Sequence, residues 1–98
     1  MFFHLNIYIV SPMSKLLSII IPTRNRQVYC VESIKSILMD IDHRCEIIVQ
    51  DNSSDNRLHQ MLDILNNELI VYNYNSAPLS FIDNFEEAII YHEKADSI

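Results

Sequence analysis

The stretch Leu16-Leu17-Ser18-Ile19-Ile20-Ile21-Pro22-Thr23-Arg24-Asn25-Arg26 decides the fold of this chain. Apolar, β-branched residues at successive positions predict a strand covered on both faces, the pattern of a parallel sheet and not of a half-exposed antiparallel one. Pro22 has no N–H to give to a sheet ladder, so the strand is expected over about 16–22 and to end there. Polar residues follow, and a helical period begins at Val28. A buried strand, a polar exit and then a helix is the arrangement that binds ligands in open α/β sheets.

Working outward, Val28, Val31, Ile34, Ile37, Leu38 and Ile41 form one apolar stripe, which predicts a helix over 26–39 with Asn25 or Thr23 capping its first turn. Cys45–Gln50 repeats the buried-strand pattern through Ile47, Ile48 and Val49. It exits into Asp51-Asn52-Ser53-Ser54-Asp55, all turn and cap formers. A second helix is expected over 55–66 on Leu58, Met61, Leu62 and Leu65, and a third strand over 68–74. After Asn75-Ser76-Ala77-Pro78, Ser80 and Asp83 stand at capping-box spacing before a third helix carrying Phe81 or Ile82, Phe85, Ala88 and Ile89. Strand–helix alternation of this kind predicts an α/β fold, a partial Rossmann-like parallel sheet in three layers with right-handed crossovers. Its exits at 22–26, 51–55 and 73–78 then share one rim, the candidate site.

Composition narrows the function. A chain of 98 residues makes one small domain or part of a larger one, and 49% hydrophobic residues suffice for a core. Net charge is −6 with seven basic residues and no basic run, which argues against nucleic acid as a partner. Glycine is absent, so neither a P-loop nor a Gly-x-Gly-x-x-Gly turn can exist. A phosphate would have to be held by side chains, a metal or helix N-termini. Cys30 and Cys45 fit no disulfide framework or metal spacing and read as buried thiols in a reducing cytoplasm. Residues 1–14 read as an extension: the apolar start lacks a basic n-region and is too short to span a bilayer, and Met13-Ser14-Lys15 resembles a natural start. That extension is either a mis-assigned start or a loosely attached extra strand, and nothing in it supports a membrane-surface role.

Several residues have plain structural readings. His59 and Asp63, at i, i+4, read as a surface pair before a metal site. Asp83, Glu86 and Glu87 read as a solvated first helical turn, and Tyr72 and Tyr74 as packing residues on a strand. Asp51–Asp55 alone would read as a capping turn.

Ser18-Ile-Ile-Ile-Pro-Thr-Arg-Asn25 followed by Glu46-Ile-Ile-Val-Gln-Asp-Asn-Ser-Ser-Asp55 resembles the opening half of a family 2 glycosyltransferase, and Ser80-Phe-Ile-Asp-Asn84 resembles a later segment of that family. The resemblance runs from about Lys15 to Ile98 and implies the N-terminal, nucleotide-sugar-binding half of a GT-A fold, with glycosyl transfer to a saccharide or lipid acceptor. Carried over, Pro22, Thr23, Arg24 and Asn25 border the nucleoside, Asp51 accepts a base N–H, Asn52 and Ser53 meet further base or ribose groups, and Asn84 contacts the donor. A carboxylate accepts from the N3–H of uracil but meets an acceptor in cytosine, so a UDP-type donor is favoured. Arg24 stands where relatives often carry an aromatic; its guanidinium can stack on a base or reach a phosphate. Asp83 stands where a basic residue is common.

Relatives continue into an Asp-x-Asp-like motif that holds Mg²⁺ or Mn²⁺ against the diphosphate, followed by a catalytic carboxylate. On this reading the 98 residues contain no catalytic or metal-binding residue and do not transfer sugar alone. The missing fourth strand would leave Leu17–Ile21 as an open edge, with self-association or a missing C-terminal half as the consequence. The alternatives are a non-catalytic truncated remnant or a small α/β interaction module. A cytoplasmic location follows from the resemblance, peripheral to the inner face of a membrane as a variant of it.

Overall fold

A computed structural model describes residues 7–11, 17–77, 83, 84 and 86. The sheet has four strands in chain order: β1 (Tyr8–Val10), β2 (Leu17–Thr23), β3 (Cys45–Asp51) and β4 (Ile70–Tyr74). β2, β3 and β4 run parallel, with Ile19 opposite Ile47 and Ile47 opposite Ile70. Helices α1 (Gln27–Leu38) and α2 (Arg57–Asp63) make the crossovers. The chain is therefore α/β with a mostly parallel sheet, a partial Rossmann-like arrangement.

Alternation along the strands sorts the core into two faces. Ile19, Ile21, Ile47 and Val49 pack with Cys30, Val31 and Ile34 of α1 and with Leu58 and Leu62 of α2. Ile20 and Ile48 turn to the opposite face with Tyr8, Val10 and Val71 around them. Ile20, Ile21, Ile34, Ile47 and Ile48 are fully buried, each worth about 1.5–3 kcal/mol of transfer free energy. Cys30 and Cys45 are both buried free thiols, and burial, with a smaller contribution from Asp51, pushes the Cys30 thiol up to about 12.

The structure corrects four expectations. β2 does not stop before Thr23: Pro22 lies inside it, opposite Gln50. The Thr23 carbonyl faces β3, where it accepts from the Asn52 N–H at 2.9 Å. Backbone groups alternate sides along a strand, so the nitrogen of Pro22 faces the other edge, past the Tyr8–Ile20 pair where β1 begins. Second, the Leu17–Ile21 edge is not open throughout, because β1 pairs antiparallel with Ser18–Ile20. Third, neither Asn25 nor Thr23 caps α1; Arg26 is the N-cap residue and no side chain bonds there. Fourth, α2 and β4 are shorter than expected. The Asp55 carboxylate accepts from the Arg57 N–H and so delays the helix start. Asn66, at φ 46°, follows the end of α2, and Asn67 accepts from the Leu69 N–H before β4 begins.

The third helix lies outside the described residues except for Asp83, Asn84 and Glu86, which are helical. Pro78, Ser80 and the stretch 12–16 lie outside them too. Among the described residues no helix is long and apolar enough to cross a membrane.

Candidate functional site

Parallel register alone brings the strand exits together. Thr23, Asp51 and Tyr74 stand in one row across β2, β3 and β4, at the carboxyl end of each strand. Beyond that row the loops are tied to one another by side chains. The Asn25 N–H donates to Ser53 Oγ at 2.7 Å, and Asn25 Oδ1 accepts from the Ser54 N–H at 2.9 Å. This exchange requires Asn25 at φ 53°, a left-handed conformation in which asparagine stands in for glycine. Asn52 Nδ2 donates to the Asn75 and Ala77 carbonyls at 2.6 Å each, which fastens the third exit to the second. The Asn75 N–H donates to the Asp51 carbonyl at 2.9 Å, and the Tyr74 hydroxyl to the Ser53 carbonyl at 3.0 Å.

Asp51 is fully buried at the centre of this rim. Its side chain takes the α1/α2 face, like Ile47 and Val49. Oδ1 accepts from both the N–H and the hydroxyl of Ser53, and Oδ2 accepts from the Tyr72 hydroxyl at 2.7 Å. The Tyr72 ring is held from outside by His59, stacked at 4.9 Å between centroids and 9° between planes. Desolvation first, and then the bond to Asp51, raise the Tyr72 phenol well above its ordinary range, so it stays a protonated donor. His59 lies 3.6 Å from Asp63 on the exposed side of α2, the surface pair that the i, i+4 spacing suggests.

Of the candidate residues, Thr23, Asn25, Asp51, Asn52 and Ser53 are brought into this bonded rim. Pro22 lies buried one row below, and Arg24 is exposed on the turn. Asn84 reaches the same end of the sheet, Nδ2 donating to the Gln50 carbonyl at 3.0 Å. Thr23 Oγ1 and Asn84 Oδ1 are buried and meet no hydrogen-bond partner among the described residues. Sequence reasoning reads Tyr72 and Tyr74 as packing residues first, with one of them bordering the pocket as the lesser alternative. The parity of β4 was the available signal, since Tyr72 and Tyr74 share the face of Asp51.

The carboxylates of the described rim do not fit a divalent metal. Asp51 is occupied by Ser53 and Tyr72, and Asp55 is held bidentate by the Arg57 guanidinium at 2.7–3.2 Å. That ion pair lowers the Asp55 carboxyl to about 2. An Asp-x-Asp run does occur at Asp40–Asp42, but at the amino end of β3, where Asp42 grips Arg44 at 2.8 Å. Among the described residues no three His, Cys, Asp or Glu side chains converge.

Residues 18–89 match the family model for glycosyl transferase family 2. No curated protein and no solved structure matches.

Proposed function

The chain belongs to glycosyl transferase family 2, and from that premise we propose that its rim binds the nucleoside diphosphate part of a nucleotide sugar, the donor for transfer to a saccharide or lipid acceptor. The observation that carries this reading is the joined pair of exits. Thr23 and Asp51 are register partners, and the turns behind them exchange hydrogen bonds through Asn25, Ser53 and Ser54. A single nucleoside can therefore touch both turns. Thr23 Oγ1, buried and without a partner among the described residues, supplies a hydroxyl beside Asp51 for a ribose or base group. Arg24 and Arg26, exposed at the start of α1, supply positive charge at the same rim of a chain whose net charge is −6.

The role assigned to these residues is binding and orientation of a UDP-type donor. Neither Asp51 nor Asp55 is placed to take the acceptor's proton: Ser53 and Tyr72 leave Asp51 a single acceptor position, which the base N–H takes on this reading, and Arg57 holds both oxygens of Asp55. Transfer then requires groups beyond those of the described rim.

Titration with UDP while following backbone amide shifts tests the reading. The proposal expects changes concentrated at Thr23–Arg26 and Asp51–Ser54. No response in these two turns at millimolar UDP removes it.

A further inference from the structure

We infer that Tyr72, with its ring held by His59, is the positioning residue that makes Asp51 discriminate between nucleobases; this rests on the nucleotide reading above. A carboxylate offers about four acceptor positions, two on each oxygen. Ser53 fills both positions on Oδ1 with its N–H and its hydroxyl. The Tyr72 hydroxyl fills one on Oδ2. One acceptor position therefore remains, on Oδ2, next to the phenol oxygen, and because Asp51 is fully buried the rim must part for a ligand to reach it. A ligand N–H must come to that position, so the direction of approach is fixed by Tyr72 and not by Asp51 alone.

The consequence is chemical selectivity. A base with a ring N–H, such as uracil, completes the carboxylate. A base presenting a ring acceptor there, such as cytosine, meets an oxygen that cannot turn away, because Ser53 and Tyr72 pin the carboxylate from both sides. Without the phenol, Oδ2 has two open positions, and water can enter between carboxylate and base.

His59 belongs to the same device. Its ring lies parallel to that of Tyr72, on the side facing an open groove lined by His43, His59, Asp63, Asn67, Glu68 and Ile70 among others. Among the described residues, Tyr72 is common to that groove and to the rim. The stack blocks the ring from swinging into the groove and withdrawing its hydroxyl from Asp51. Sequence alone pairs His59 with Asp63; the stack gives it a second task.

The test compares the wild-type chain with Tyr72→Phe, His59→Ala and His59→Phe by calorimetric titration with UDP and with CDP, each variant checked for an unchanged fold by circular dichroism. Wild type is expected to prefer UDP. Tyr72→Phe should weaken UDP about tenfold, the effect of losing one bond to a charged group, and bring the UDP/CDP ratio towards unity. His59→Ala should do the same in part, and His59→Phe, which keeps a stacking ring, should restore the preference. A Tyr72→Phe variant with the wild-type ratio overturns the inference and leaves the nucleotide reading standing. A wild-type chain that binds neither nucleotide removes both. A ligand-free readout stands apart from these: the Tyr72 hydroxyl proton should exchange slowly in wild type, rapidly in His59→Ala and slowly again in His59→Phe. Rapid exchange in the wild type overturns the pinned carboxylate.

Discussion

Asn52→Ala cuts the tie between the second and third strand exits, and its effect can be worked from the bonds it removes. Asn52 is buried, and both hydrogens of its amide are used, on the Asn75 and Ala77 carbonyls at 2.6 Å. Each such bond contributes about 0.5–1.5 kcal/mol net, and a carbonyl stranded away from water costs more. Asn75 is half-buried and Ala77 exposed, so water recovers part of the loss. About 2 kcal/mol of stability should disappear. For a small domain, with a urea dependence of about 1–2 kcal/mol per molar, the unfolding midpoint should fall by about 1–2 M. Hydrogen exchange gives the local reading: the Asn75 amide, bonded to the Asp51 carbonyl at 2.9 Å, should lose protection far more than the amides of β3. A midpoint that stays within about 0.3 M of wild type, together with unchanged protection at Asn75, would refute the view that side chains hold the rim together.

Three further outcomes follow from separate features. Val10→Pro, which removes an N–H that faces Ser18 of β2, should detach that strand, expose the edge of β2 and shift the chain to larger species in analytical ultracentrifugation, where wild type shows less association. Cys30 should resist a thiol reagent at pH 8 until urea unfolds the chain, because its thiol is raised from 9.0 to about 12. The folded state thus holds a proton that the unfolded chain releases above pH 9.0, so stability contributed by the neutral thiol is intact below that pH and falls as pH rises towards about 12, which urea midpoints across that window measure. Asn66→Gly should keep or slightly raise the melting temperature, whereas Asn66→Ala should cost about 1 kcal/mol, because φ 46° is left-handed and penalises a Cβ that has no compensating side-chain bond.

What could be read from the residues, and what could not, divides by the range of the forces involved. The isoleucine runs of β2 and β3 declared themselves, since a strand buried on both faces has to be apolar throughout. Their parallel register then placed Thr23 beside Asp51, as the opening stretch implied. β1 was harder, because three residues carry too short a pattern and their pairing with Ser18–Ile20 is decided across the sheet. Pro22 misled because proline ends a ladder only when its nitrogen faces a partner, and the side it faces depends on the register. Asn25 was read as a cap because asparagine favours that role; a chain without glycine needs it instead at positive φ, where its amide reaches the second exit. The Tyr72–Asp51 contact lay in the parity of β4, but that the ring would reach so far follows from packing against His59.

Fastening a rim with primary amides has a bearing on its chemical lifetime. Amide side chains of asparagine hydrolyse slowly, and they are among the residues that heat-adapted proteins avoid. Were Asn52 to age into aspartate, an anion would replace the two N–H groups that now point at the Asn75 and Ala77 oxygens, turning attraction into repulsion at the same spot. Stored or heated samples should therefore lose the shape of this rim before they lose their isoleucine core, and mass spectrometry would date the change as a gain of about one dalton in the peptide carrying Asn52.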